Sequence, residues 1–236
     1  MGQHTLQGRT EDELGWFKRR QFLQAAAAWT ALGGYGAALA QGRSNIVRVE
    51  GDAMVNGTRL LPGQIIQVGD TVATGPKSSM VVVLGNSSIL VRQNTKLSTE
   101  RGSTPDAVGV LRLVTGAVAS VWGRGSERKV LTPTVTAGIR GTGVYTEVLP
   151  EKDGREYFCT CYGTVNLSVG ASTKLSQAEY HDAFWVDPSA PAGAALRRAP
   201  AVNHTDEELE FLAQLVGQRT AWQISGRKGN GSHSGY

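Results

Sequence analysis

Cysteine is nearly missing from this chain, whose 236 residues hold only two. Two thiols cannot staple a disulfide scaffold, so the fold has to rest on a buried core, which this length can supply. Charge is sparse as well, at 19% with a formal balance of +4. Lys and Arg are scattered singly or in pairs and no basic stripe interleaves with aromatics, which argues against nucleic acid as a partner. No serine stands in a G-x-S-x-G elbow, and in the body the run Asp206-Glu207-Glu208 has the place of a helix cap rather than of an acid–base pair. No enzyme signature is left. Outside residues 25–39 no stretch is long and apolar enough to cross a membrane. Glycine is plentiful at 30 residues, and with low charge it suits many short strands and tight turns better than a helical bundle.

The first forty residues read as an export address. Phe17-Lys18-Arg19-Arg20-Gln21-Phe22-Leu23-Gln24 precedes a weakly apolar run, Ala25 to Leu39, which closes on Ala38-Leu39-Ala40. A basic region, a short apolar region and an A-x-A site describe a secretory signal peptide. The Arg19-Arg20 pair followed by Gln-Phe-Leu resembles the twin-arginine signal. Cleavage is expected after Ala40, with the body in the periplasm. The alternative is an uncleaved anchor in the inner membrane facing the periplasm, and Gln24, Thr30, Gly33, Gly34 and Gly36 make that span weak.

From Ile46 onward, short apolar pieces are punctuated by Asn56-Gly57, Pro62-Gly63 and Gly69-Asp70, all turn formers. The expectation is strands of about 4–6 residues joined by tight turns. Ser79–Leu84 and Ser88–Val91 flank Gly85-Asn86-Ser87 as a hairpin, with Met80, Val82 and Leu84 on one face. Residues 101–109 form a polar loop around Pro105-Asp106, and Leu111–Val114 with Val118–Trp122 make a strand pair around Gly116. The stretch from Val130 to Leu167 continues the pattern, with strands turning on Gly138, Gly141 and Gly143. Ile139-Arg140-Gly141-Thr142-Gly143 is not a phosphate loop, because such a loop opens a helix and Val144–Val148 alternates as a strand.

The ordered set Val49-x-Gly51, Val55-Asn56-Gly57, Leu61-x-Gly63, Val68-Gly69-Asp70-Thr71-Val72-x-Thr74-Gly75, Ile89-Leu90-Val91, Leu113-x-x-Gly116-Ala117-Val118 and Thr132-Pro133-x-x-x-Ala137-x-Ile139-Arg140-Gly141-Thr142 resembles the FecR domain, over roughly residues 46–168. That domain is the periplasmic module of anti-sigma regulators in iron-dicitrate signalling and occurs in many exported proteins. The resemblance implies an all-β module, solenoid-like or sandwich-like, that binds a protein or small-molecule partner at the cell envelope without catalysis. Arg140, Thr142 and Tyr145 are the candidate ligand- or partner-binding residues. The classical regulators carry a sigma-binding segment before a membrane helix and a second periplasmic subdomain after the FecR domain. The residues before Phe22 are too few for the first, and nothing after Val169 reads as the second, so direct anti-sigma action is not carried over.

The organisation expected is a signal at 1–40, a FecR-like β domain at 41–170, an extension at 171–224 and a disordered tail at 225–236. Within the extension, Lys174–Val186 is mixed and Asp187–Ala201 reads as a Pro- and Ala-rich linker. An amphipathic helix over 205–217 follows, capped by Thr205 and Glu208, with Leu209, Leu212, Leu215 and Val216 as its docking stripe. Cys159-x-Cys161 places both sulfurs on one strand face, with Cα atoms about 6–7 Å apart. That is the upper edge for a disulfide, and two small buried hydrophobes are an ordinary use of such a pair. A third reading comes from counting. Of four histidines, His4 lies in the signal and His233 in the tail, leaving His181 and His204. Two thiolates and two imidazoles make a tetrahedral set for zinc or iron, and a metal-binding or redox-sensing exported protein is the alternative to a binding module without cofactor.

Overall fold

Alternating β-branched residues between turn formers set the chain into strands. The computed structural model describes residues 15–16, 21–40, 42–125, 128–149, 154–191 and 193–228. His4, the Arg19-Arg20 pair, His233 and the tail from 229 onward lie outside them. The helices are α1 (Gln21–Ala31), α2 (Gly34–Ala40), α3 (Asp206–Leu215) and α4 (Ala221–Ser225). The first half of the strands comprises β1 (Ile46–Glu50), β2 (Ala53–Val55), β3 (Thr58–Arg59), β4 (Thr71–Thr74), β5 (Ser79–Leu84), β6 (Ser87–Val91) and β7 (Lys96–Arg101). The second comprises β8 (Val108–Trp122), β9 (Arg128–Leu131), β10 (Val135–Leu149), β11 (Arg155–Val169), β12 (Ser172–Ala178), β13 (Asp182–Val186) and β14 (Leu196–Ala199). Among the described residues these fourteen strands form one sheet, antiparallel except where β8 runs beside β9. The fold is all-β.

Local signals placed the early turns correctly. Asn56 and Gly57 have φ of 53° and 79°, the pair of positive values that a two-residue type I′ hairpin needs, and they join β2 to β3. The β5–β6 hairpin turns on Gly85 and Asn86, with Leu84 opposite Ser87. Met80, Val82 and Leu84 share one buried cluster, while Val81 and Val83 on the opposite face belong to another.

The later strands differ from the short ones expected. β8, β10 and β11 each run 15 residues, because their glycines bend the strand without ending its ladder. At each bend the strand changes partners. β8 pairs with β7 up to Thr115, with β10 from Gly116 onward and with β6 from Val118 onward. β10 lies beside β9 over Thr136–Ile139 and beside β8 over Gly143–Val148. β11 pairs with β13 over Glu156–Thr160 and with β12 from Gly163 onward. Gly116 illustrates the requirement: its φ is +86°, and an added Cβ would lie 2.5 Å from the Cα of Thr95.

Two hydrophobic clusters result. The larger gathers Ile66, Met80, Leu111, Trp122, Ile139 and Phe158. The second collects Val83, Leu90, Ala119, Val121, Tyr145, Cys159 and Cys161 together with Leu209, Phe211 and Leu212 of α3. The helix therefore docks on the sheet by the expected stripe. It is shorter than 205–217, since Thr205 is its N-cap and Gly217 takes a φ of +66° beyond its end. Phe211 is buried too, because Phe22 of α1 and Trp16 meet its ring edge-on, at centroid distances of 6.2 and 5.0 Å. No helix among the described residues is long and apolar enough to cross a membrane.

The linker over Asp187–Ala201 contains β14, whose Leu196 pairs with Val186. Its Arg197-Arg198 reads as linker in the sequence, but charge is what an edge strand tolerates, and Arg198 lies 3.6 Å from Asp182. Within the expected loose tail, Lys228 is placed 3.1 Å from Asp206.

Candidate metal centre

Strand alternation determines where the thiols go. Cys159 and Cys161 point to the face of β11 that α3 covers, and both are wholly buried and unbonded. Their sulfurs are 3.9 Å apart, far beyond the roughly 2.05 Å of a disulfide. His181 sits where β12 hands over to β13. Its φ of 35° is unusual for a residue with a side chain, and its amide donates to the Cys161 carbonyl at 2.9 Å. That bond holds its Nδ1 3.5 Å from the sulfur of Cys159. His204, in the extended approach to α3, brings Nε2 to 3.1 Å from His181 Nδ1. The four donor atoms, two sulfurs and two ring nitrogens, all lie within 4.8 Å of one another.

The remaining ring nitrogens show how the imidazoles are oriented. His181 Nε2 faces Asp206 Oδ1 at 3.0 Å, and His204 Nδ1 faces the carbonyl of Val202 at 2.6 Å. Carboxylates and carbonyls only accept, so both of these nitrogens carry hydrogens. In the neutral rings His181 Nδ1 and His204 Nε2 are then bare, and two lone pairs meet at 3.1 Å. A proton on either nitrogen, or a cation between them, removes that repulsion. A tetrahedral ion with bonds of about 2.3 Å to sulfur and 2.0–2.1 Å to nitrogen has edges of about 3.8 Å (S–S), 3.6 Å (S–N) and 3.4 Å (N–N). The observed 3.9, 3.5 and 3.1 Å agree to within about 0.3 Å. Histidine ligands that donate their outer hydrogen to a carboxylate or carbonyl are the usual outer shell of such centres.

Proton energetics point to the same spot. Burial raises a thiol, but at Cys159 the hydrogen bond from Cys161, the charge of His204 and hydrogen bonds from both imidazoles prevail and hold it well below its ordinary value. Cys161, buried beside that developing thiolate, is pushed well above. Burial lowers His181, yet Asp206 and Cys159 bring it up to about 9. Asp206 is disfavoured by burial but kept ionised by His181 and Lys228. Without an ion, the cluster thus pairs a thiolate at Cys159 with a protonated His181.

Aromatic rings close the site. Tyr145 stacks on His204 with centroids 4.6 Å apart and an interplanar angle of 16°, and Trp222 of α4 stacks on His181 at 5.5 Å. The Tyr180 hydroxyl donates to Asp206 at 3.1 Å, and the Trp222 indole donates to Glu210 at 2.7 Å. Behind His204 lies a fully buried ion pair, Arg92 with Glu208, at 3.0 Å. Arg92 also donates to the carbonyl of Asn203 at 2.8 Å, and the Thr205 amide donates to Glu208 at 2.8 Å.

The structure therefore brings together all four candidate metal ligands. It does not assemble Arg140, Thr142 and Tyr145 into a surface. Arg140 is exposed, while Thr142 and Tyr145 are wholly buried and out of a partner's reach. Asp206, Tyr180 and Trp222 escaped the sequence reading. Asp206 was visible only as a helix-capping acid, although its place two residues after His204 was a usable signal.

Residues 70–165 match the model of the FecR protein family. That segment contains Cys159 and Cys161, whereas His181 and His204 fall beyond it. Two crystal structures of a Parabacteroides distasonis ATCC 8503 protein, provisionally assigned as an anti-sigma factor, are similar to this chain. Their identities are 9% and 12% and their TM-scores 0.45 and 0.46, with 56% of this chain and 60% of that chain covered in each case. The chain thus spans about three fifths of the structures it resembles. No curated protein matches it.

Proposed function

We propose that this chain is a non-enzymatic FecR-type signalling module of the cell envelope, that it acts through a protein partner, and that it binds one zinc or iron ion on Cys159, Cys161, His181 and His204. The signalling role is supported by the FecR match over residues 70–165. The observation that carries the metal reading is the meeting of four donor atoms within 4.8 Å of one another, with three separations close to tetrahedral edges. Asp206 and the Val202 carbonyl orient the two rings, and Trp222 and Tyr145 exclude water. Such an ion would supply a cross-link rather than a reactive centre, because four protein donors leave no coordination position for water or substrate. The basic run and A-x-A site within residues 1–40 support delivery to the periplasm.

The test is elemental analysis of protein purified without chelator, beside Cys159→Ser. About one zinc or iron per chain, largely lost in the variant, is the expected result. Reconstitution with cobalt(II) should show the visible bands of a tetrahedral ion together with thiolate charge transfer. Metal-free protein that also refuses added zinc and cobalt would sink the metal reading.

A further inference from the structure

We propose that the ion acts as a latch: when bound it holds α3 and α4 as a cap over one sheet face, and when lost it frees that cap while the β body stays folded. The proposal rests on the metal reading above. Two ligands come from β11, a third from the turn into β13, and the fourth from the segment that leads into α3. The ion would therefore join the family-matched β domain to a C-terminal extension lying outside the matched residues.

Besides the ion, the cap would be held by its apolar stripe and by the buried Glu208–Arg92 pair. α3 is ten residues long, below the length at which a helix is stable alone in water, so it exists because it is docked. Its first turn is where polar groups concentrate: His204 is a ligand, Asp206 orients His181, and Glu208 is buried against Arg92. With the ion gone, a proton can link only two of the four donors at a time, so polar groups at the junction are left without a partner, which is costly in an interior. That penalty falls on the junction between cap and sheet. The larger cluster, with Met80, Leu111, Trp122 and Phe158, contains none of the four ligands, so the β body keeps its own support. Three further contacts move with the cap. Trp222 of α4 rests on His181, Ser88 of β6 donates to the Leu212 carbonyl at 2.7 Å, and Phe22 of α1 leans on Phe211. Metal occupancy is thereby passed to the helix that follows the Arg19-Arg20 pair.

Hydrogen exchange on the full chain tests this, with zinc as the probe and zinc content measured in every sample. On stripping the ion with a chelator, amides in 206–225 and 21–31 should exchange at least about tenfold faster, those of β5, β6 and β10 should change little, and added zinc should restore protection. His204→Ala should show the fast-exchanging cap whether zinc is present or not. If the stripped protein keeps a protected cap, or loses protection evenly across cap and β body, the latch is wrong although the metal reading survives. A chain that takes up no zinc at all ends both. Should His204→Ala fail to fold, the chelation comparison on the unaltered chain still decides.

Discussion

Glu208 and Asp206 stand two residues apart at the start of α3, and the structure assigns them different tasks. Glu208 neutralises Arg92 where both side chains are fully buried. Removing one member of such a pair strands the other, so Glu208→Ala should destabilise the chain by about 3–5 kcal/mol in denaturant unfolding. Glu100→Ala, which breaks the half-exposed pair with Arg112, should cost under about 1 kcal/mol. Similar losses for the two would show that Arg92 finds water or another acid. Asp206 acts through His181 instead, accepting the outer ring hydrogen at 3.0 Å. Asp206→Asn leaves four ligands in place but a less basic imidazole, and zinc affinity in a chelator competition should fall about 10–100-fold. At this scale the four candidate ligands were legible because cysteine and histidine are so scarce that counting them isolates a set. Asp206 was not, since an acid in the first turn of a helix already has an ordinary reason to be there.

Elements were read well where the signal was local and poorly where it depended on pairing. α3 showed itself through its cap and stripe, and the β2–β3 turn through Asn56-Gly57. α4, at five residues, is too short to display a helical period, and β14 was hidden by Pro, Ala and Arg that mimic a linker. The glycines of β8, β10 and β11 look like breaks in a sequence because glycine weakens a strand. Here they are bends at which one strand moves from one partner to the next. Gly116→Ala should therefore cost about 3 kcal/mol, from a positive φ together with the close approach of Thr95. Gly57→Ala, with φ +79° and nothing within 4 Å, should cost about 1 kcal/mol. Thermal unfolding of the two variants makes the comparison, and equal shifts would mean that the β7–β8 junction relaxes freely.

For the molecule as a whole, the proposed metal site would link metal affinity to pH. Binding at that site would displace the proton that His181 holds up to a pH of about 9 and the proton on Cys161, whose pKa is raised well above its ordinary value. Protons compete with the ion, so apparent zinc affinity should rise with pH through neutrality toward about 9 and be lost on acidification. Affinity that is flat between pH 6 and 9 in a competition titration would contradict this assignment of protons. The proposed processing after Ala40 would have a structural consequence too. A chain beginning at Gln41 loses the contact of Phe22 with Phe211, and it should unfold with about 2 kcal/mol less stability than the full chain. The sequence by itself determined the β character, the capped helix and the short set of candidate ligands, because each is written in composition or in periods of a few residues. Only the tertiary structure decided that His181 and His204 meet Cys159 and Cys161, since separations of 20 to 45 residues leave countless geometries open. One of them was selected by the pairing of β11 with β13, the docking of α3 on the sheet, and the buried Arg92–Glu208 pair beneath it.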